Sequence, residues 1–171
     1  AFRNDIENLI QRSPGTVPVY FQNIGAAEFR GVEIEGSYEA PGGYLRLAYG
    51  RVRGTDADFG YTLASTPADS LSLTLARRLP GRNLEFGWTA QVVDAISTSA
   101  RDGMTGAVVT TDFASYDVHD VFLNWTPDDG ILAGTEVRVG VENLFDTTFR
   151  NNLDQENGKG RNFRLSLTRT F

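Results

Sequence analysis

The feature that most constrains this chain is a strict alternation of apolar and polar residues near its C-terminal end. Three valines alternate with polar or small residues in 136–142, and three apolar residues do the same in 162–168. Successive side chains of a β-strand point to opposite faces, so both stretches are predicted to be amphipathic strands. The second strand runs in phase to the aromatic residue Phe171.

Composition excludes several classes of protein. No apolar run approaches the about 18 residues that a membrane-spanning helix needs. The net charge is -6, and a basic stripe that could bind nucleic acid is missing. There are no cysteines, so disulfides and thiolate metal sites are excluded. The chain opens at Ala1 without Met or a signal pattern, which we interpret as a processed or excised piece of a longer protein.

Alternation predicts eight strands along the chain, of which the first has an imperfect pattern that a helix would also fit. They occupy 1–11, 19–40, 44–50, 69–77, 84–92, 116–126, 136–142 and 162–171. The stretch 19–40 is predicted as one long strand with a bulge, because its apolar phase moves from odd to even positions. The connections at 41–43, 79–82 and 127–130 are short, and those at 11–17, 54–67, 97–115 and 145–160 are longer and polar.

Strict alternation of short and long connections places all the short turns at one end of the sheet. Outer-membrane barrels have this asymmetry, and they also close on their last strand. We therefore predict an all-β fold, an antiparallel transmembrane β-barrel with an apolar face toward lipid. The positions expected to face lipid are Leu71, Leu73, Leu75, Leu84, Phe86, Val137, Val139, Phe163, Leu165 and Leu167. The charged residues between them are expected to pair along a solvated inner wall.

Several short motifs resemble one family. The segment 141–146 reads Val-Glu-Asn-Leu-Phe-Asp, and 160–165 reads Gly-Arg-Asn-Phe-Arg-Leu before the terminal aromatic residue. Together they resemble the C-terminal end of TonB-dependent outer-membrane receptors. Phe-Gln-Asn at 21–23 and Gly-Val-Glu-Ile-Glu-Gly at 31–36 are similar to another strand of that family. The residues that carry the C-terminal motif are Asn143, Leu144, Phe145, Asp146, Arg161, Asn162 and Phe171.

The resemblance covers about residues 19–171. One segment also resembles a narrower branch of the family. The segment 116–122, with Trp125 and Pro127, is similar to receptors for haem and haem-carrying proteins. The family implies a 22-stranded barrel with an N-terminal plug, of which residues 1–171 would be the last eight strands. It further implies the bacterial outer membrane, surrounding lipid, import of haem or an iron-siderophore, and coupling to the TonB complex through the missing N-terminal part. A haem-carrier protein would be a further partner.

The long loops are expected to capture the transported ligand, because recognition usually resides in loops displayed by a rigid wall. The candidate residues are Arg53, Asp56, Asp58, Tyr61, Arg101, Asp102, Met104, Arg150 and Asn151.

No cofactor or metal is expected to be bound by this segment. An enzyme is not expected, because His119 is the only histidine and no G-x-S-x-G elbow occurs. In the alternating pattern of its strand, His119 falls on the lipid side near the rim. An interfacial role is favoured there over ligation.

Two other interpretations remain open at this point. A complete eight-stranded outer-membrane barrel would serve as a structural anchor or adhesin, and strand number and length both suit that class. An outer-membrane enzyme is a minor alternative.

Overall fold

The computed structural model describes residues 1–12, 21–23, 25–102, 104–154 and 156–169. Its strands are β1 Phe2–Glu7, β2 Ile10–Arg12, β3 Phe21–Asn23, β4 Ala26–Ala40, β5 Gly43–Asp56, β6 Ser70–Leu79, β7 Leu84–Val93, β8 Ile96–Arg101, β9 Val108–Phe113, β10 Tyr116–Trp125, β11 Thr135–Glu142 and β12 Asn162–Arg169. A short 3-10 helix, Pro80–Arg82, joins β6 to β7. None of the described residues forms a helix long and apolar enough to cross a bilayer.

Eight strands form one antiparallel sheet in the order β1-β4-β5-β6-β7-β10-β11-β12. Each of these strands pairs with the next one along the chain, and two hairpins, β2-β3 and β8-β9, extend from the connections. Within the described residues β1 and β12 do not pair with each other. The sheet is therefore an open wall, which favours a segment of a larger barrel over a closed eight-stranded one.

The predicted strand at 19–40 is wrong in one respect. Gly25 has a φ of +83°, and this left-handed residue separates the short β3 from β4 instead of forming a bulge within one strand. Likewise, the left-handed Asn8, with a φ of 58°, divides the predicted first strand into β1 and β2. The predicted parts at 13–20, with Pro18, Val19 and Tyr20, and the terminal Phe171 lie outside the described residues.

The long connections contain more regular structure than the sequence indicates. β5 continues to Asp56, beyond the predicted end at 50, and the predicted loop at 97–115 contains the β8-β9 hairpin. The short connections are 41–42, 80–83 and 126–134, and they define the short-turn end of the sheet. The connections 8–25, 57–69, 94–115 and 143–161 define the long-loop end.

The strand register places the predicted lipid-facing residues on one face, which we call the apolar face. Directly opposed residues of neighbouring antiparallel strands lie on the same side of a sheet. One row of such residues is Leu45, Leu75, Trp88, Val121, Val141 and Phe163. The adjoining rows hold the other predicted positions, so the shared face of all ten is confirmed.

The opposite side of the sheet, the polar face, carries the predicted ion pairs. Arg78 lies 3.1 Å from Glu39 and 2.9 Å from Glu85, joining β4, β6 and β7. Arg164 lies 2.8 Å from Glu142 across the β11-β12 pair. These partners are partly exposed, and each such pair contributes at most about 1 kcal/mol. These pairs neutralise part of the charge of this face.

Phenylalanines cover glycines of neighbouring strands on the polar face. Phe122 is directly opposite Gly87, and an ideal Cβ on Gly87 would lie 2.4 Å from the Phe122 ring and 2.7 Å from the Leu75 carbonyl oxygen. Phe2 covers Gly31 in the same way. An aromatic ring laid over a strand glycine restores the apolar cover that the glycine lacks. Gly87 is therefore required by the close approach of the ring.

Gly87→Ala should destabilise the wall by about 1–3 kcal/mol, because the added methyl group overpacks against a ring and a backbone carbonyl. Gly36→Ala is the matched control, since an ideal Cβ on this strand glycine meets nothing within 4 Å. The measurement is the urea midpoint of the full-length receptor in detergent. Phe122→Leu should recover part of the loss in Gly87→Ala. Equal midpoints for the two alanine variants would show that the ring does not require the glycine.

Candidate ligand-capture site at the long-loop end

The long loops pack into a covered layer instead of standing separately in solvent. Leu63 and Thr66 are fully buried, and Ser99 of β8 is also buried. The Ser99 amide donates to the Thr62 carbonyl at 2.7 Å, and the Leu63 amide donates to the Gly54 carbonyl at 2.9 Å. The first bond joins the β8-β9 hairpin to the 57–69 loop, and the second joins that loop to β5.

Asp56 organises the loop that follows β5. Its Oδ1 accepts hydrogen bonds from the amides of Asp58 and Phe59, both at 2.9 Å, while its own amide donates to the Tyr61 carbonyl at 3.0 Å. The side chain is 1% exposed. Aspartate is favoured in such turns because its carboxylate accepts from the amides two and three residues further on. The result is a tight loop that exposes the Phe59 ring and leaves Tyr61 half-buried.

The negative charge of Asp56 also affects Tyr61. Burial raises the pKa of the Tyr61 hydroxyl above its usual value, and the nearby carboxylate of Asp56 raises it further. Tyr61 therefore remains a neutral hydrogen-bond donor over the whole physiological range. Its ring stacks on Phe59 with centroids 6.2 Å apart and planes 12° apart.

Arg101 completes a group of one cation and two stacked rings. Its guanidinium carbon lies 4.8 Å from the centroid of Phe59, within the range of a cation–π contact. Gln22 of β3 donates from its side chain to the Arg101 backbone carbonyl, which ties the β2-β3 hairpin to this group. The ring of Phe59 is exposed. Flat aromatic surface beside a positive charge suits a planar ligand that carries carboxylates.

A second group, of one arginine and three aromatic residues, lies on β9, β10 and the 143–161 loop. Arg150 is 5.6 Å from the centroid of Phe113, and Phe149 packs on Tyr116 with ring centroids 4.8 Å apart. A depression of about 270 Å³ is lined by these residues and by parts of 111–116 and 148–157. Asn152 joins the two groups of loops, because its side chain donates to the Thr66 carbonyl at 2.7 Å.

The structure brings together only some of the predicted capture residues. Tyr61 and Arg101 meet in the first group, Asp56 forms the turn that supports it, and Arg150 belongs to the second. Arg53 belongs to neither group, because it lies within β5 and pairs with Asp69.

The remaining predicted residues shape turns. The side chain of Asp102 accepts from the Met104 amide at 2.8 Å, that of Asn151 accepts from the Leu153 amide at 2.9 Å, and Asp58 contributes an amide to the Asp56 turn. Sequence reasoning missed Phe59, Phe113 and Phe149. The only signal for them was an aromatic residue inside a polar loop.

Asn143 of the C-terminal motif holds both ends of the 143–161 loop. It is 3% exposed, and its side-chain amide donates to the carbonyls of Thr147 at 2.8 Å and Lys159 at 3.0 Å. Its Oδ1 accepts from the Thr147 amide at 2.8 Å. All the polar groups of this side chain are therefore used to close the loop base. The backbone is left-handed here, with a φ of 50°, which asparagine tolerates better than most residues.

The other motif residues complete this closure. Asp146 accepts from the Arg161 amide at 2.7 Å, and Asn162 donates to Glu142 at 3.2 Å. The Leu144 amide donates to the His119 carbonyl at 2.6 Å, which docks the motif on β10. The geometry of the motif is that of a strand-ending turn.

His119 lies on the apolar face beside that turn. Its ring stacks on Trp88 with centroids 5.5 Å apart and meets the edge of Phe145 at 5.1 Å. Trp88 Nε1 donates to His119 Nδ1 at 3.2 Å, and Asp117 lies 3.0 Å from Nε2. Among the described residues no group of three or more His, Cys, Asp or Glu side chains could hold a metal ion.

An open antiparallel wall with one apolar face, short turns at one end and packed loops at the other defines a segment of an outer-membrane β-barrel. The chain belongs to the family described as TonB dependent receptor-like, beta-barrel, whose sequence profile matches residues 1–144. Members of this family are receptors and transporters.

Curated relatives and a solved structure agree with this assignment. TonB-dependent heme receptor A of Haemophilus ducreyi is 25% identical over 162 residues, covering 88% of this chain and 22% of the relative. Heme/hemopexin utilization protein C of Haemophilus influenzae is 26% identical over 180 residues, covering 99% and 24%. The FrpB iron transporter from Neisseria meningitidis (F3-3 variant) has a TM-score of 0.72 at 21% identity, covering 96% and 26%. The chain thus spans about a quarter of the length of these proteins.

Proposed function

We propose that this chain forms part of the wall and the capture surface of a TonB-dependent transporter in the bacterial outer membrane. The transported ligand is haem, or less specifically an iron-bearing chelate. Family membership supports the class of transporter, and the names of both Haemophilus relatives support haem. Energy coupling to the TonB complex belongs to other parts of the receptor, and a haem-carrier protein is a partner of the same loops.

The observation that carries the proposal is the group of Phe59, Tyr61 and Arg101. Haem is a flat aromatic macrocycle with two carboxylates, so it offers a face to the Phe59 ring and an anion to the guanidinium of Arg101. A guanidinium binds a carboxylate through paired N–H groups, and the stacked rings supply apolar surface. The neutral hydroxyl of Tyr61 adds no charge that would repel the ligand.

Side-chain substitutions test this group more cleanly than a loop deletion. Removing 98–112 would take away Ser99, whose amide donates to the Thr62 carbonyl, and would uncover the buried Leu63. Arg101 and Phe59 are both exposed, so truncating either side chain leaves the loop layer covered.

Arg101→Ala and Phe59→Ala should each weaken haem binding to the full-length receptor by about tenfold. The lost charge-assisted hydrogen bond or stacking contact is worth about 1.5 kcal/mol or more. Binding is followed by the absorbance of haem during titration. Arg46→Ala, at the short-turn end of the polar face, is the charge-matched control and should bind like the unchanged protein. Haem affinity that survives both loop substitutions would contradict the role of this group. Binding of a ferric siderophore in place of haem would contradict haem as the ligand and leave only the broader proposal of an iron-bearing chelate.

A further inference from the structure

Three arginines lie side by side on one face of the sheet, where β1, β4 and β5 approach the long-loop end. Arg3 is directly opposite Arg30, and Arg30 is directly opposite Arg53. Directly opposed residues point to the same side, and like charges in such positions destabilise a sheet. The row occurs in a chain whose net charge is -6, so an overall excess of basic residues does not explain it.

The surrounding acidic residues neutralise only the two ends of this row. Arg3 lies 3.3 Å from Asp5 and 3.3 Å from Glu28. Arg53 donates to Asp69, with Nη2 and Oδ2 2.9 Å apart.

Arg30, at the centre of the row, is exposed and has no ion pair with any residue of the described chain. Arg51 adds a fourth guanidinium on the same face, 3.7 Å from Asp69. The centre of the row therefore presents an uncompensated positive charge.

The row lies on the same side of the sheet as the apolar face, just beyond its edge at the long-loop end. Val32 and Ile34 of β4 belong to the apolar face, opposite Arg51 and Tyr49, and Arg30 is two residues beyond Val32. Two residues of a strand tilted by about 40° rise about 5 Å along the membrane normal. The polar layer on each side of the hydrocarbon is about 5–7 Å thick. Arg30 would thus lie at the depth of the lipid headgroups, with Glu28 farther out.

We propose that Arg3, Arg30 and Arg53, together with Arg51, bind phosphate groups on the headgroups of outer-leaflet lipids. A guanidinium presents a fixed fork of N–H groups that matches phosphate oxygens. A phosphate seated over Arg30 would neutralise the repulsion along the row and fix this edge of the barrel in the leaflet. The inference goes beyond the transport proposal, and it requires only that the apolar face lies in a membrane.

The test measures lipid binding by the full-length receptor without haem, so its result does not depend on the transported ligand. Purified receptor in detergent is titrated with a phosphorylated membrane glycolipid, and bound lipid is counted by native mass spectrometry. Arg30→Gln should weaken binding about fivefold, the effect of one arginine near a charged membrane surface. Arg30→Lys, which keeps the charge, should retain more of the affinity. Arg138→Gln, a matched control on the polar face, should leave it unchanged.

Further measurements distinguish a lipid site from a site for free phosphate or a purely structural role of Arg30. In detergent without the lipid, Arg30→Gln should melt at the same or a higher temperature, because it removes repulsion. The dephosphorylated glycolipid should bind without any dependence on Arg30. The proposal is overturned if Arg30→Gln binds the phosphorylated lipid as well as the unchanged receptor does. It is equally overturned if inorganic phosphate alone shows the same dependence on Arg30.

Discussion

Leu73→Arg should destabilise the receptor by about 2–4 kcal/mol, the range for a charge on the lipid face of a barrel near mid-depth. Leu73 is directly opposite Leu47 on one side and Ala90 on the other. A guanidinium at this position has no partner and no water. The cost is therefore the transfer of a charge into hydrocarbon.

The neighbouring residue supplies the control. Ser72 points to the polar face, directly opposite Ala48 and Gln91, so Ser72→Arg places the same charge in a wet interior at the same depth. Ser72→Arg should lower the free energy of unfolding by less than about 1 kcal/mol, as for a surface substitution. Folding titrations of both variants in lipid vesicles give the comparison. Equal losses would mean that the two faces have been assigned wrongly.

Asn143→Ala should destabilise the long-loop end by about 3 kcal/mol. The change leaves the Thr147 amide and the carbonyls of Thr147 and Lys159 without their buried partner, and each unsatisfied group costs about 1–3 kcal/mol before relaxation. Alanine is also less well suited than asparagine to the φ of 50°. Limited proteolysis should then cut within 145–160, where the unchanged receptor resists.

Two further variants separate the contributions of the side chain and the backbone. Asn143→Gly lacks the amide but accepts the left-handed backbone, so it should be about 1 kcal/mol less damaging than Asn143→Ala. Asn151→Ala removes a single exposed hydrogen bond, to the Leu153 amide, and should change stability by less than about 1 kcal/mol. If all three variants resist proteolysis like the unchanged receptor, Asn143 does not hold the loop base.

The strands of the wall could be predicted from sequence because one face must be apolar and the other polar along its length. Because of that requirement, apolar and polar residues alternate along β6, β7, β11 and β12, and this alternation specifies the strand register. It does not extend to the loops. In β8 the buried residues are Thr98, Ser99 and Ala100 in succession, so no alternation marks this strand.

The candidate capture group of Phe59, Tyr61 and Arg101 could be predicted only in part, for a related reason. Its charged residues could be named as polar members of long loops, but their grouping depends on contacts between distant parts of the chain. The bond from Gln22 to Arg101 joins residues 79 positions apart. Phe59, on which Tyr61 and Arg101 both pack, carries no pattern of its own. Local sequence thus indicated the loops as candidates, whereas the contacts between their residues could be seen only in the folded chain.

The packed layer of the long loops reverses the usual choice of sites for tags and labels. Outer loops of barrels are the customary places for inserted epitopes, yet here an insertion near Leu63 or Ser99 would split a buried backbone contact. Exposed backbone without such contacts accepts insertions better. At the opposite end, Ile131 in the turn at 126–134 is 95% exposed, and the backbone hydrogen bonds beside it, from Ala133 to Gly130 and from Thr135 to Leu132, are local to the turn. A reporter peptide there would leave the packed long loops intact.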